Sequence, residues 1–299
     1  MDSLEEDKKK PHDFSLFRYQ MYVNEPFQPD LSGIGGVQTA QELKEKRNGI
    51  LRELLHLLPD KLDRKNHRYQ VVYQNLDATQ YLLSVEAKRS KKVTQNRQNK
   101  RVSHEPFAWI AIDTDDDVQA IAIAQASDLR IETGIKHLTS DLQKLLSHRG
   151  LEFIVNSIKR EDGFWEYVRE NKNTLKEVIF SINPPNMPAL SQTVGSQLSE
   201  LIKSTQAKKA DLSLNAKNGD VLSLEKRDAR LRHFVDYMNM GGGNYKFKLR
   251  GSSRLHSPDN IQKILVATPQ PESQLLDVSV ESPHASVLTR IRVEFKIAP

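Results

Sequence analysis

The chain contains two pairs of strand-like segments, one pair alternating and one pair apolar throughout, whose connections are too short for a crossover, and these constrain the fold most. His67–Gln74 places Tyr69, Val71 and Tyr73 on one parity, and 80–88 does the same with Tyr81, Leu83, Val85 and Ala87. Only a short polar stretch around Asn75-Leu76-Asp77 separates them, so they read as an antiparallel hairpin. Residues 107–112 and 118–124 are apolar runs joined by the acidic stretch Asp113–Asp117, which predicts a second hairpin. A further alternating run, 14–23, carries Phe17, Tyr19, Met21 and Val23 on one parity and predicts a half-buried strand. Much of the first 130 residues is therefore expected to be antiparallel sheet.

Helical periodicity enters beside these strands. Thr39 and Glu42 form a capping box ahead of Leu43, Ile50, Leu54 and Leu57, which predicts a helix ended by Pro59. Ile135, Leu138, Leu142 and Leu145 predict another, closed by His148-Arg149-Gly150. Beyond it the segments alternate: strand 151–158, helix 164–169, strand 178–182, a helix bearing Leu190, Val194, Leu198 and Leu201, and a hairpin at Asn218-Gly219 joining 212–216 to 221–224. A basic helix with Leu231, Phe234, Val235 and Met238 follows, then Gly241–Gly243 as a flexible connector, then a strand-rich tail. The expected class is α+β: largely antiparallel sheets with packed helices, in up to two domains. The divided reading has a strand-rich part over 1–130, with one long helix and a basic loop, and an α+β part over 131–299.

A chain of 299 residues, 37% of them hydrophobic, can bury a sizeable core. It has no cysteine, which excludes disulfides, thiolate nucleophiles and cysteine-ligated metals. Residues 1–10 lack an apolar signal core, and no stretch approaches the ~18 apolar residues of a membrane span. The expected location is cytoplasmic, without membrane insertion.

Charge is the strongest functional signal, through its distribution. From Lys88 to Arg101 the sequence carries seven cations (Lys88, Arg89, Lys91, Lys92, Arg97, Lys100 and Arg101) and no acid. That exceeds the whole net charge of +5, so the remainder is slightly acidic. The stretch is expected to be a basic loop between the two hairpins, able to close over a polyanion, and its lack of aromatics offers no base-stacking platform. Residues 245–250 place Lys246, Lys248 and Arg250 on one parity, and 290–297 do the same with Arg290, Arg292 and Lys296. If both are strands of one sheet, six cations share a face that can follow a phosphate backbone, to which the basic helix adds Lys226, Arg230 and His233. A solvated sheet face with edge-protecting lysines explains the same pattern equally well.

Three function classes follow. The leading expectation is a nucleic-acid-binding protein, for DNA or RNA, needing no cofactor. The enzyme alternative is a Mg-dependent nuclease: Asp77 followed by Glu86-Ala87-Lys88 resembles the restriction-type arrangement of an Asp ahead of a strand carrying Glu-x-Lys, in which carboxylates hold Mg²⁺ and a lysine attends the attacking water. Glu-x-Lys also occurs at Glu6, Glu42 and Glu170, so the spacing has low specificity. The third class is a non-catalytic subunit whose basic surface meets an acidic protein partner. Asp113, Asp115 and Asp117 begin like a calcium loop, but Val118 and Ala124 replace its glycine and bidentate glutamate. The histidines show no short metal-ligand spacing, and Gly33–Gly36 matches no phosphate loop.

The run Phe164-Trp165-Glu166-Tyr167, then Val178–Asn186 and Gly241–Lys248, resembles in layout uncharacterised bacterial proteins of phage-defence loci. That resemblance implies an antiviral role as sensor or effector and assigns no catalytic residue.

Overall fold

The computed structural model describes residues 10–24, 37–61, 67–87, 89–95, 98–104, 106–125, 129–184, 207–217, 220–268 and 283–297. The fold is α+β, with antiparallel sheets. Among the described residues no helix is long and apolar enough to cross a membrane.

The chain divides into two compact units, each drawn from separate stretches of sequence. The first comprises residues 1–15, 21–154 and 263–298, and the second 16–20 and 155–262. The division therefore does not follow the expected boundary at 130: the chain passes through the second unit and returns to the first.

Apart from residues 16–20 of β1 and 155–157 of β8, which belong to the second unit, β1 (Lys10–Val23), β2 (His67–Gln74), β3 (Gln80–Ala87), β6 (Phe107–Asp113), β7 (Ala120–Gln125) and β13 (Lys263–Thr268) line up in the first unit in the order β13-β1-β7-β6-β3-β2, with β8 (Leu151–Ser157) pairing β1. Both predicted hairpins are present. β2 pairs β3 from His67 opposite Ala87, and β6 pairs β7 from Ala108 opposite Gln125. Both parities of β3, β6 and β7 are buried, and so is the whole of 14–21 in β1. These strands are enclosed on two faces, where alternation at 14–23 had predicted a half-exposed one. Helices supply part of the cover. α1 (Ala40–Lys61) packs on β2, α2 (Ile131–Ser147) on β7, and α5 (Pro283–Ile297) on β13, β3, β2 and β6.

The amino end of α1 is capped as predicted: Thr39 Oγ1 accepts from the Glu42 N–H at 3.1 Å, while Glu42 Oε2 accepts from the Gln38 N–H at 2.7 Å. Pro59 does not end the helix, which continues to Lys61. The larger correction is at the other end of the chain. Residues 290–297 form no strand; they lie in α5, where Val287, Leu288, Ile291 and Phe295 make a buried stripe at helical spacing.

The second unit holds a four-stranded sheet in the order β10-β9-β11-β12, made of β9 (Leu175–Ile182), β10 (Ala210–Asn215), β11 (Gly243–Leu249) and β12 (Leu255–His256). β10 pairs β9, so 212–216 does not form the predicted hairpin with 221–224, which is not a strand. Asn218 and Gly219, and the predicted helix at Leu190–Leu201, lie outside the described residues. α3 (Gly163–Glu170) and α4 (Ala229–Tyr237) bury one face of the sheet around Phe164, Phe180, Tyr237, Tyr245 and Phe247. Phe164 meets Tyr245 edge-on, ring centroids 5.0 Å apart.

A π-helical turn, Met238–Gly242, leads from α4 directly into β11. The three glycines here are not a flexible connector. Gly241 takes φ +87°, and a Cβ on it would lie 2.7 Å from Cβ of Arg18, while one on Gly243 would lie 2.1 Å from the Ser181 carbonyl. Close packing, not freedom, explains the run.

Candidate nucleic-acid interface

The basic stretch is built by extending an existing hairpin. β3 and β6 remain in register to Glu86 opposite Phe107, and the Ala87 N–H donates to the Pro106 carbonyl at 2.9 Å. Past that point the chain forms β4 (Arg89–Gln95) and β5 (Gln98–His104), antiparallel from Arg89 opposite His104 to Gln95 opposite Gln98. The stretch is therefore a two-stranded ribbon rather than the expected loop. Its strands pair with each other and with no other strand among the described residues. Seven residues per strand span about 23 Å at the usual rise.

The sequence of the ribbon explains why it joins no larger sheet. RSKKVTQ and QNKRVSH each contain one aliphatic residue, so neither strand has an apolar face to bury. Across the two strands stand five cations (Arg89, Lys91, Lys92, Lys100 and Arg101) and no acid, and Lys92 sits directly opposite Arg101. Like charges facing each other across a ladder destabilise it, and an anion between or beside them relieves the repulsion. Lys88 and Arg97 lie outside the described residues.

The other predicted cations are placed differently. Lys246 and Lys248 do project from one face of β11, but Lys248 is in register with Glu177, and Lys246 helps hold Asp211 below the usual carboxylate range, after Ser181 and Lys209. Arg250 sits in the turn after β11 and donates to the Asp220 carbonyl at 3.3 Å. On and before α4, Lys226 pairs with Asp162 at 2.7 Å and Arg230 approaches Asp228 at 3.8 Å. Arg290 pairs with Glu294 at 2.8 Å along α5, and Arg292 with Asp113 at 3.2 Å and with Asp115. The side chain of Lys296 lies outside the described residues. Because Arg290, Arg292 and Lys296 are helical and belong to the first unit, they share no sheet with Lys246, Lys248 and Arg250 of the second. The six-cation sheet face does not exist.

Nor are the three nuclease residues assembled. Asp77 lies in the turn before β3, whereas Glu86 lies near the end of that strand, six residues and about 20 Å beyond Gln80. Glu86 accepts from Arg68 across the β2–β3 pair, Nε to Oε2 being 3.1 Å. Lys88 lies outside the described residues. Among the described residues no group of three or more His, Asp or Glu is arranged to hold a metal ion. In the acidic turn 113–117, Asp113 is buried and meets Arg292 and Gln80, and Asp116 accepts from Asn48, while Asp116 and Asp117 are exposed.

Two buried polar clusters were not visible in the sequence. In the first unit, Asp141 of α2 meets His67 Nε2 at 2.7 Å and accepts from the Tyr69 hydroxyl at 3.1 Å, while His137 stacks on His67 with centroids 4.5 Å apart. In the second, Lys159 is 5% exposed. Its Nζ donates to Asn244 Oδ1 and lies 3.6 Å from the centroid of the Tyr245 ring. Burial lowers its pKa to about 7, so its amine is largely neutral above that pH. Nothing local in the sequence marks Lys159; its burial is made by segments around 159, 239–245 and 260, which meet only in the fold.

No family model matches the chain, and comparison with curated proteins gives no match.

Proposed function

We propose that the protein binds nucleic acid through the β4–β5 ribbon. The observation that carries this reading is a two-stranded arm rich in cations, free of acids and without an apolar face, following on from two strands, β3 and β6, that are buried on both sides. A ribbon with so little apolar content contributes little to folding and a great deal to the local potential, which is the property phosphate recognition needs. The cations on β11 face the acids Glu177 and Asp211, and those on and before α4 pair with Asp162 and Asp228, so they supply less field. Binding is the extent of the proposal: separation of Asp77 from Glu86 leaves the Mg-dependent nuclease without a shared metal position. A cytoplasmic location and an antiviral role as sensor or effector belong to the same reading, the latter on the strength of the layout resemblance.

The test is retention of labelled DNA and RNA by purified protein at several salt concentrations, comparing wild type with a variant carrying Lys91→Gln, Lys92→Gln, Lys100→Gln and Arg101→Gln. Binding that weakens with salt and falls by about tenfold or more in the variant supports the proposal. No binding at low salt overturns it, and copurification of an acidic protein on the same arm would then assign the ribbon to a protein partner.

A further inference from the structure

We infer that the ribbon's target is B-form duplex DNA and that the ribbon enters its major groove. This rests on the nucleic-acid reading above and deepens it.

The cations of the ribbon are divided between its two parities. The register sets Arg89 with His104, Lys91 with Val102, and Val93 with Lys100 on one face, and Ser90 with Ser103 and Lys92 with Arg101 on the other. Cations therefore occur on both faces. An element lying flat on a nucleic acid surface gains from charge on one face only, because the other points to solvent. An element held between two phosphate backbones gains from charge on both, and the walls of a groove provide that geometry.

Dimensions select which groove. Two paired strands are about 4.8 Å apart, and with side chains the ribbon fills a channel about 12 Å wide, the width of the B-DNA major groove. The minor groove, at about 6 Å, is too narrow, and the deep, narrow major groove of A-form RNA does not admit such an element. The described strands, about 23 Å long, are ample to cross the groove. Composition removes the single-stranded alternative: no aromatic residue occurs between Arg89 and His104, so the arm offers no ring on which an unpaired base could stack. Gln95, Gln98 and Asn99, at the far end of the ribbon, belong to the residue types that pair with adenine edges in the major groove.

The experiment uses the full chain and short probes of one sequence: duplex DNA, duplex RNA, single-stranded DNA, and duplex DNA whose major groove is filled by glucosylated 5-hydroxymethylcytosine. Distamycin, which occupies the minor groove, is added to the plain duplex as a further arm. Duplex DNA should bind at least about tenfold more tightly than duplex RNA or single-stranded DNA, glucosylation should weaken it about tenfold, and distamycin should leave it unchanged. In the four-substitution arm variant, whatever affinity remains should be indifferent to glucosylation. Equal affinity for duplex RNA or single strands, or indifference of the wild type to glucosylation, overturns the major-groove assignment while leaving nucleic-acid binding intact. Failure to bind every probe overturns both.

Discussion

Arg292 of the carboxyl-terminal helix brings its Nε to 3.2 Å from the buried Oδ2 of Asp113, tying α5 to the turn between β6 and β7. Burial raises the pKa of Asp113 despite the Asp115 N–H, Gln80 and Arg292, all of which favour its ionised form. An acid with a raised folded pKa favours the folded state at low pH, and that contribution is lost as the pH rises through the folded value. Arg292→Ala, which leaves Asp113 charged without its cation, should cost about 3 kcal/mol at neutral pH. Adding Asp113→Asn should recover much of that loss, and the single Asp113→Asn variant should gain on wild type as the pH rises from the ordinary aspartate range. Urea denaturation across pH checks all three.

Lys159 gives the opposite slope. With a folded pKa of about 7 against an ordinary value of 10.5, the unfolded chain binds a proton that the folded chain excludes. Stability should therefore climb between pH 7 and about 10, the cost of burying the charge being on the order of a few kcal/mol below that window. Lys159→Met should abolish this part of the climb and raise stability at pH 7 by about 1–3 kcal/mol. Melting temperatures at pH 7, 8 and 9 read it directly; an unchanged slope in the variant would remove Lys159 as its source.

The glycines at the junction of the π-helical turn and β11 predict local intolerance. Gly243→Ala drives a Cβ to 2.1 Å from the Ser181 carbonyl, and Gly241→Ala adds a strained φ of +87° to contact with Arg18. Each should cost about 1–3 kcal/mol, whereas Gly49→Ala, at an exposed position of α1 where its Cβ would meet nothing within 4 Å, should be neutral or stabilising. Denaturation midpoints of the three variants make the comparison.

The cations of β11 should matter little to a polyanion. Lys246→Gln with Lys248→Gln should change nucleic-acid affinity by less than about threefold, because Glu177 and Asp211 already offset that face. A loss equal to that of the arm variant would move the interface to the second unit.

The parts of the fold that were legible in sequence were those where periodicity and short connections agreed. Tyr81, Leu83 and Val85 opposite a run ending in Tyr73 left no reading but a hairpin. Residues 287–297 failed because they satisfy two periods: Arg290, Arg292, Glu294 and Lys296 alternate like a strand, while Val287, Leu288, Ile291 and Phe295 also form a helical stripe, and packing on β13 and β3 decides between them. The arm failed for the opposite reason. With polar residues on both parities it carries no amphipathic signal, and its strands exist because β3 and β6 deliver the chain in register. Lys159 and the His67–Asp141 pair unite residues far apart in sequence, and no local pattern encodes that.

The most direct test is the salt dependence of duplex DNA binding in wild type and in the Lys91→Gln, Lys92→Gln, Lys100→Gln, Arg101→Gln variant, with unfolding midpoints measured on the same samples. Each phosphate contact contributes about 0.9 to the slope of log affinity against log salt concentration, so losing four should flatten the slope by about 3.6 while the midpoint stays put. An unchanged slope with an intact fold would contradict the assignment of the β4–β5 ribbon as the phosphate-binding element.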